Sequence, residues 1–476
     1  TIAETDGSTS VAESGSTDTF SVVLNAQPTS DVVLSISSAD TGEATVTSSL
    51  TFTSANWDTA QTVTVTGVDD NLIDGSITSI TTIAVIDNAS DDSFDSLSDQ
   101  TVSVATTDDD VAGFTIAETD GSTSVAESGS TDTFSVVLNA QPTSDVVLSI
   151  SSADTGEATV TSLISFTSAN WDTAQTVTVT GVDDDLVDGT QTSSLSILIV
   201  DVISDDTFDA VSDQTVSVTT TDDDVAGFTI AETDGSTSVD ESGTTDTFTV
   251  VLDAQPNSDV VFAISSSDTG EATVTSTLTF TSANWDTAQT VTVTGADDQL
   301  VDGTVTSTIT VSVNDGSSDN NFDSVSDQTV SVATTDDDVA GFTIAETDGS
   351  TSVGESGTTD TFTIVLNAQP SSDVVLSVTS GDTGEATVTG TITFTSANWD
   401  TAQTVTVTGV DDDIIDGTIT STTTITVVDA ISDDNFDSVS DQTVSITTTD
   451  DDVAGFTIAE TDGSTEVNES STTDTF

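Results

Sequence analysis

The stretch "TVTGVDDNLIDG", residues 64–75, ends a β-strand and begins a cluster of acids. Val and Thr alternate at its start, which is typical of a strand with one buried face. Asp69, Asp70 and Asp74 then follow within one turn. The chain has 84 Asp and Glu residues and no Lys, Arg or His that could neutralise them. Because two carboxylates ~4 Å apart repel by roughly 4 kcal/mol at an effective dielectric near 20, clustered acids here need a soluble cation or must stay apart in water.

The composition also excludes several classes of function. Without Cys or His, the chain has no disulfide, no thiolate nucleophile, no zinc–thiolate site and no histidine base. A formal net charge of −84 makes nucleic acid and anionic membrane surfaces poor partners. No apolar run approaches the ~20 residues of a membrane helix, so we expect no membrane insertion in this segment. The chain starts at Thr1 without Met and stops inside a predicted strand, so we expect it to be part of a longer protein.

A long internal repeat sets the domain organisation. The nonapeptide "TIAETDGST" starts at Thr1 and recurs every 114 residues. That period is the size of one domain and exceeds the roughly 20 to 50 residues of a solenoid unit. The sequence therefore predicts four complete domains and the start of a fifth, at residues 1–110, 111–224, 225–338, 339–452 and 453–476.

Alternating apolar residues within each repeat predict seven strands. In the first repeat these strands cover residues 1–12 (with a bend), 17–25, 31–38, 43–53, 60–67, 76–87 and 99–107. Seven short strands in about a hundred residues indicate an immunoglobulin-like β-sandwich. One Trp per repeat, first Trp57 in "SANWDTAQ", is interpreted as a plug against the sheets rather than a sugar platform, since no Tyr or second exposed aromatic accompanies it.

The strand order predicts that acids from four segments meet at one pole of each sandwich. If consecutive strands alternate in direction, the loops after the first, third and fifth strands lie at this pole, together with the end of the seventh. Oxygen-only clusters suit Ca²⁺, which takes 6–8 oxygen ligands, better than Mg²⁺. The predicted ligands are Glu13, Asp40, Asp69, Asp70, Asp74, Asp108, Asp109 and Asp110, then Glu127, Asp154, Asp183, Asp184, Asp188, Asp222, Asp223 and Asp224, then Glu241, Asp268, Asp297, Asp298, Asp302, Asp336, Asp337 and Asp338, and finally Glu355, Asp382, Asp411, Asp412, Asp416, Asp450, Asp451 and Asp452.

Other acids receive a different interpretation. Position 71 varies among Asn, Asp and Gln in the four repeats, so its side chain is not expected to be a required ligand. Scattered acids such as Asp31 and Asp58 are interpreted as a solvated surface. A second acidic loop, residues 87–100, lies between the sixth and seventh strands at the opposite pole. We favour a solvated loop there over direct metal ligation.

Three motifs carry a resemblance to a known family. "SVAESGSTDTFSVVL", "VTGVDDNLIDG" and "TTDDDVAGF" resemble the Calx-β domain, the calcium-binding sandwich of sodium–calcium exchangers and many bacterial surface proteins. The resemblance covers all four repeats and implies that the acids listed above hold calcium. The chain departs from the family pattern at Asp74, which stands where a Glu is usual and is followed by Gly75. It departs again at "DTGEATV", which replaces the common D-G-T-A turn.

The sequence favours a structural function. We expect calcium-bound tandem sandwiches to form an elongated extracellular rod, as the stalk of an adhesin or as a surface or matrix fibre. Its partners would be calcium ions, neighbouring repeats and, in a fibre, other copies. The alternatives are a module in which each repeat binds a glycan or protein, and an intracellular calcium sensor. Paired carboxylates can hydrolyse glycosides, but an active site copied in every domain would be unusual, so an enzyme is not expected.

Overall fold

The computed structural model describes every residue except Asp462, Ser471 and Phe476. It divides into two compact units, Thr1–Val225 and Ala226–Phe476, with two complete repeats in each. Each repeat folds into two facing β-sheets, which confirms the predicted class of tandem immunoglobulin-like sandwiches. Among the described residues, no helix is long and apolar enough to cross a membrane. The predicted domain boundaries stay predictions.

The first repeat contains nine strands in two sheets. They are β1 (Ile2–Glu4), β2 (Thr9–Ala12), β3 (Thr17–Val22), β4 (Val32–Ser38), β5 (Ala44–Val46), β6 (Ser49–Phe52), β7 (Gln61–Gly67), β8 (Ile77–Val85) and β9 (Gln100–Thr107). The first sheet has the order β1-β3-β7-β5, and the second has the order β2-β9-β8-β4-β6. Alternate residues of each strand face the space between the sheets, where Phe20, Phe52 and Val63 are fully buried.

Two of the seven predicted strands are in fact divided between the sheets. Residues 1–12 form β1, which pairs with β3, and β2, which runs parallel to β9. Gly7, with φ +87°, lies in the bend between them. Residues 43–53 form β5, which pairs with β7, and β6, which pairs with β4. Each divided segment lies at the edge of the sandwich, and its two halves pair with edge positions of different sheets, so the segment covers an otherwise unpaired edge in both.

The other repeats follow the same plan. The second contains β10 (Phe114–Glu118), β11 (Thr123–Ala126), β12 (Thr131–Leu138), β13 (Val146–Ser152), β14 (Ala158–Val160), β15 (Leu163–Phe166), β16 (Gln175–Gly181), β17 (Gln191–Ile199) and β18 (Gln214–Thr221). The third contains β19 (Phe228–Glu232), β20 (Thr237–Asp240), β21 (Thr245–Leu252), β22 (Val260–Ser266), β23 (Ala272–Val274), β24 (Thr277–Phe280), β25 (Gln289–Gly295), β26 (Leu300–Val301), β27 (Val305–Val313) and β28 (Gln328–Thr335). The fourth contains β29 (Phe342–Glu346), β30 (Thr351–Gly354), β31 (Thr359–Leu366), β32 (Gln369–Pro370), β33 (Val374–Ser380), β34 (Ala386–Val388), β35 (Thr391–Phe394), β36 (Gln403–Gly409), β37 (Ile419–Val427) and β38 (Gln442–Thr449).

Each loop before the last strand of a repeat carries two 3₁₀ turns. They span Asp87–Ala89, Asp92–Phe94, Asp201–Ile203, Asp206–Phe208, Asp315–Ser317, Asn320–Phe322, Asp429–Ile431 and Asp434–Phe436. Trp57 lies half-buried against the core of its repeat, as predicted, and its backbone carbonyl accepts a hydrogen bond of 3.2 Å from the Leu24 N–H. The tryptophan is therefore part of the packing between the sheets.

The loop after β7 joins the two repeats of the first unit. Ile73 in this loop is 9% exposed and belongs to the hydrophobic core of the second repeat. Its N–H donates to the carbonyl of Gln141 at 3.1 Å, and the N–H of Gln141 donates to the carbonyl of Asn71 at 2.6 Å. Position 71 thus acts through its backbone, which explains why its side chain varies among the repeats.

The second unit repeats this junction. The two-residue strand β26 pairs in parallel with β32 of the fourth repeat. Val301 is 7% exposed within the fourth repeat's core, and its carbonyl accepts a 2.7 Å hydrogen bond from the Asn435 side chain. In both units, therefore, the acidic loop of one repeat inserts an apolar side chain into the next.

Candidate metal centre

A close approach of two strands places Glu13 inside the acidic pole. Glu13 directly follows β2, and its N–H donates to the carbonyl of Thr107 at the end of β9, at 3.1 Å. The neighbouring end of β7 is Gly67, where a Cβ would lie only 2.0 Å from the carbonyl oxygen of Ala12. Glycine is therefore required for β2 to lie against β7. As a result the Glu13 side chain is only 1% exposed.

The loop between β4 and β5 brings one predicted acid and one that the prediction missed. Asp40 is exposed, and its carboxylate accepts a 3.0 Å hydrogen bond from the Gly42 N–H. Glu43 follows in the same loop and is only 6% exposed. Its counterparts Glu157, Glu271 and Glu385 are at most 8% exposed. The signal was present in the sequence, because "DTGEATV" keeps this Glu in every repeat directly after the Asp turn.

The loop after β7 folds its three acids toward Glu13. Asp69 and Asp70 are exposed, and Asp70 accepts a 2.7 Å hydrogen bond from the Leu72 N–H. Asp74 is half-buried, and one of its carboxylate oxygens is buried without any hydrogen-bond partner. This loop therefore aims one unsatisfied carboxylate oxygen into the pole.

The acid triplet after β9 closes the pole. Asp108 holds the neighbouring loop, because its carboxylate accepts hydrogen bonds from the N–H groups of Gly75 at 2.9 Å and Asp110 at 2.7 Å. Asp110 is half-buried, whereas Asp109 is exposed. The same alternation recurs in the other repeats, where the middle acids Asp223, Asp337 and Asp451 are also exposed. The three acids of the triplet thus differ in their surroundings.

The carboxylates converge into two groups that share one residue. Oxygens of Glu13, Asp70 and Asp110 lie within 4.8 Å of one another, and so do oxygens of Glu13, Glu43 and Asp74. The second repeat has the same two groups, Glu127–Asp184–Asp224 and Glu127–Glu157–Asp188, and the third has Glu241–Asp336–Asp338. Burial raises the pKa values of Asp74 and Asp110, and nearby charges raise them further, among them Asp108 and Asp40 at Asp74 and Asp69 at Asp110. The structure therefore brings the predicted segments of the first repeat together and adds Glu43.

The electrostatics of the pole oppose ionisation in the metal-free protein. Burial, followed by the charges of Asp108 and Glu43, raises the pKa of Glu13 to about 7. The pKa values of Glu127 and Glu241 also rise to about 7, again chiefly through burial. Like charges held in a partly desolvated site favour the protonated form. At neutral pH the folded protein must therefore hold protons at the pole, carry uncompensated charge or bind a cation.

Unpaired buried oxygens show what the pole lacks. One oxygen of Glu13, one of Glu43 and one of Asp74 are buried without a hydrogen-bond partner. In the second repeat the same holds for both oxygens of Glu127 and for one oxygen each of Glu157 and Asp188. A buried polar atom without a partner costs about 1–3 kcal/mol, and more when charged. A hard divalent cation coordinated by carboxylate oxygens would satisfy all of them at once. The residues present therefore fit calcium.

The fourth repeat differs at its equivalent loop. Ile415, the counterpart of Ile73 and Val301, is 55% exposed. The next residue, Asp416, is exposed, whereas its counterparts Asp74 and Asp302 are half-buried. Where the apolar residue packs into the following repeat, the adjacent acid is half-buried, and where the apolar residue is exposed, the acid is exposed too.

The second acidic loop has a structural role. Its buried acid in the first repeat is Asp91, 4% exposed, and the counterpart in the second is Asp205, 3% exposed. The Asp205 carboxylate accepts hydrogen bonds from the Thr143 hydroxyl at 2.7 Å, the Ser144 N–H at 2.7 Å and the Thr207 N–H at 3.0 Å. Burial alone would raise its pKa, but the hydrogen bonds from Thr143 and Thr207 hold the pKa below its usual range. This acid therefore caps a 3₁₀ turn as an anion.

Comparison with known proteins leaves the function open. No family model and no curated protein matches the chain. Among solved structures, the chain is similar to surface layer protein SbsC, domains 4–9, at 16% identity over 90% of this chain and 61% of that chain, with a TM-score of 0.21. It is also similar to CBD12 from CALX1.2, at 14% identity over 41% of this chain and 79% of that chain, with a TM-score of 0.18. Fragment I67–I69 from titin matches at 9% identity over 71% of this chain and 96% of that chain, with a TM-score of 0.26. Scores this low carry no argument, so the fold class rests on the sheet topology above, and the Calx-β resemblance stays a prediction.

Proposed function

We propose that this chain is a non-enzymatic, calcium-binding structural array on the outside of a cell. In this proposal each repeat is a sandwich fastened by calcium, and the repeats together form part of an adhesin stalk or a surface fibre. The partners are calcium ions and neighbouring repeats. The observation that carries the proposal is the set of buried carboxylate oxygens without partners in a chain that has no basic side chain.

The shared glutamate suggests two ions in each repeat. One ion would lie among Glu13, Asp70 and Asp110, and the other among Glu13, Glu43 and Asp74. Each group supplies three carboxylates, and exposed neighbours such as Asp40 and Asp108, together with water, can complete the 6–8 oxygens that calcium takes. Glu13 would bridge the two ions, which accounts for its nearly complete burial despite its charge.

Calcium titration of the full chain by isothermal calorimetry tests this arrangement. The quadruple variant Glu43→Gln, Glu157→Gln, Glu271→Gln and Glu385→Gln removes one carboxylate from the second group of every repeat. We expect it to lose up to half of the bound calcium while the other ion of each repeat is retained. Asp58→Asn, Asp172→Asn, Asp286→Asn and Asp400→Asn, one exposed acid per repeat outside the pole, form the matched control and should leave the titration unchanged.

The result that overturns the proposal is a wild-type chain that takes up no calcium at millimolar concentration. Equal loss of binding in the two quadruple variants would also contradict it. That result would mean that calcium associates with the diffuse negative charge of the surface and not with a built site.

A further inference from the structure

Each repeat carries two Asp-Gly pairs, and the structure gives the two pairs different surroundings. One pair, first Asp6-Gly7, lies in the turn between β1 and β2, where the chain crosses from one sheet to the other. We call residues 5–8 and their counterparts the crossover turns. The other pair, first Asp74-Gly75, lies in the loop of the acidic pole. The crossover pairs recur at Asp120-Gly121, Asp234-Gly235 and Asp348-Gly349, and the pole pairs recur at Asp188-Gly189, Asp302-Gly303 and Asp416-Gly417.

The crossover turns are open around the peptide bond that joins each pair. Asp6 and Gly7 are both exposed, and so are both residues of the three counterpart pairs. A Cβ at Gly7 would meet no atom within 4 Å, and the same holds at Gly121, Gly235 and Gly349. Because glycine has no side chain, a neighbouring group can approach its backbone closely. The backbone nitrogen of Gly7 is therefore accessible to the carboxyl group of Asp6.

The pole pairs hold their glycine nitrogen more firmly. The Gly75 N–H donates to the Asp108 carboxylate at 2.9 Å. The same hydrogen bond, at 2.7–2.9 Å, recurs at Gly189, Gly303 and Gly417. In the crossover turns of the second to fourth repeats, the glycine N–H reaches only a backbone carbonyl, at 3.3–3.4 Å. Since hydrogen bonds to charged acceptors are the stronger kind, the glycine nitrogen is less free to move in the pole pairs.

We propose that Asp6, Asp120, Asp234 and Asp348 are sites of spontaneous isomerisation to isoaspartate. The backbone nitrogen of Gly7 attacks the Cγ atom of the protonated Asp6 carboxyl group, and a succinimide ring forms. The nitrogen loses its proton and the carboxyl group loses its hydroxyl, and the two leave together as water. A water molecule then opens the ring at either carbonyl, which regenerates Asp6 or leaves its Cγ bonded to Gly7. The reaction consumes no oxidant and no cofactor.

Isoaspartate in a crossover turn loosens the strand that leads to the acidic pole. The main chain then runs through the Cβ and Cγ atoms of Asp6, so one extra carbon enters the connection between β1 and β2. The Thr9 hydroxyl closes this connection by donating to the Glu4 carboxylate at 3.2 Å, and β2 pairs with β9 from Thr9 onward. A longer connection disturbs both contacts, and Glu13 directly follows β2. The isomerisation itself does not depend on the proposed function.

Peptide mapping of the aged full chain tests the proposal. The folded protein is stored for weeks in calcium at neutral pH and physiological temperature and then digested with pepsin, because trypsin has no site to cut. Electron-transfer fragmentation locates isoaspartate in each peptide. We expect at least about tenfold more isoaspartate at the crossover pairs than at the pole pairs, since opening one hydrogen bond to a charged acceptor costs about that factor. In denaturant, which removes the structural difference, both kinds of pair should isomerise at similar rates.

A conservative variant separates the chemistry from general ageing. The quadruple variant Asp6→Glu, Asp120→Glu, Asp234→Glu and Asp348→Glu keeps every charge, but its longer side chains must close a larger and slower-forming ring. Residues 9–13 should exchange hydrogen faster in aged wild-type protein than in fresh protein, whereas the aged variant should match its fresh form. Equal isoaspartate at crossover and pole pairs of the folded wild type overturns the proposal. So does a crossover level no higher than at Asp58, which is exposed but precedes Thr59. Unchanged exchange of residues 9–13 in isomerised chains overturns the loosening of β2.

Discussion

The junction of the first unit predicts that one apolar side chain controls both repeat docking and the ion site. Ile73 leaves its own loop and is 9% exposed within the second repeat's core. Shortening it to Ala removes buried apolar surface worth about 2 kcal/mol, which is roughly a 30-fold change in the docking equilibrium. Because Asp74 is the next residue, an undocked loop should expose that acid, as Asp416 is exposed beside the unseated Ile415.

Hydrogen exchange measured by mass spectrometry reads out the docking step. In Ile73→Ala, the peptides that contain Ile73 and Gln141 should exchange up to roughly 30-fold faster, because the two hydrogen bonds between these residues and Asn71 open with the junction. The calcium concentration that protects residues 68–76 should also rise. Because docking and calcium binding are linked equilibria, this concentration can rise by no more than the roughly 30-fold change in the docking equilibrium.

Ile415→Ala is the matched control within the same chain. Its side chain is 55% exposed, so the same substitution should leave exchange and calcium protection unchanged in a dilute, monomeric sample. The reasoning is refuted if Ile73→Ala remains folded by near-ultraviolet circular dichroism and its Gln141 peptide exchanges at the wild-type rate.

Three further predictions follow from the acidic pole. Chelation of calcium should lower the melting temperature by many degrees, because saturation at 100 times Kd adds about 2.7 kcal/mol for each site; a melting curve in EDTA that NaCl at matched ionic strength restores would indicate simple charge screening. In the metal-free protein, the free energy of unfolding should fall as pH rises from about 4.5 to about 7 and then level off, because the folded state holds protons on Glu13, Glu127 and Glu241 that the unfolded state has released. Denaturant titrations at pH 5 and pH 7.5 measure this change, and greater stability at pH 7.5 would contradict it. Trypsin should not cleave the chain even when it is denatured, because the chain has no Lys or Arg. A protease that cuts after Glu or Asp should instead degrade the metal-free form faster than the calcium-bound form. Equal degradation rates of the two forms would count against calcium-dependent folding.

The fold was predictable because its signal is local and repeated. Strict alternation around Phe20 and Val63 assigns the inward faces of strands, and the 114-residue period predicts one core for each repeat, to which the structure adds Ile73 and Val301 from a preceding repeat. The crossing-over of the 1–12 and 43–53 segments was not predictable, because alternation fixes which face is buried and not which sheet a strand joins. That choice depends on which strand edges remain unpaired after the whole sandwich has formed.

The position of the site was predictable from the sequence, but the predicted set of site residues was incomplete. Antiparallel alternation alone placed Glu13, Asp40 and Asp74 at one pole. Glu43 was missed because it precedes a short strand and reads as an ordinary surface acid, although every repeat retains it. The packing of Ile73 into the next repeat was not predictable, because a single apolar residue inside an acidic loop gives no periodic pattern and looks like a local turn contact.

The second repeat offers a test that separates acids that bind metal from acids that cap structure. Asp188 and Asp205 are both poorly exposed, and Asp→Asn removes one charge from each without changing the size of the side chain. At Asp188, burial raises the pKa, and the charge of Asp222 raises it further despite a hydrogen bond from Gln191. Ionisation there opposes folding of the metal-free protein. At Asp205, the net shift is downward, because hydrogen bonds from Thr143 and Thr207 outweigh burial, so ionisation there supports folding.

The same substitution should therefore act in opposite directions at pH 7 without calcium. Asp188→Asn should stabilise the metal-free protein, because it relieves repulsion at the pole, and it should weaken calcium binding by the second repeat. Asp205→Asn should destabilise the protein by about 1–3 kcal/mol, because an amide group replaces an oxygen that accepts hydrogen bonds from Thr143 and Ser144. It should leave the calcium titration unchanged. Denaturant unfolding in EDTA, beside calorimetric titration of each variant, measures both effects. If Asp188→Asn destabilises the metal-free protein as Asp205→Asn does, the pole is held together by its own hydrogen bonds, and the repulsion that calcium is proposed to relieve does not govern its folding.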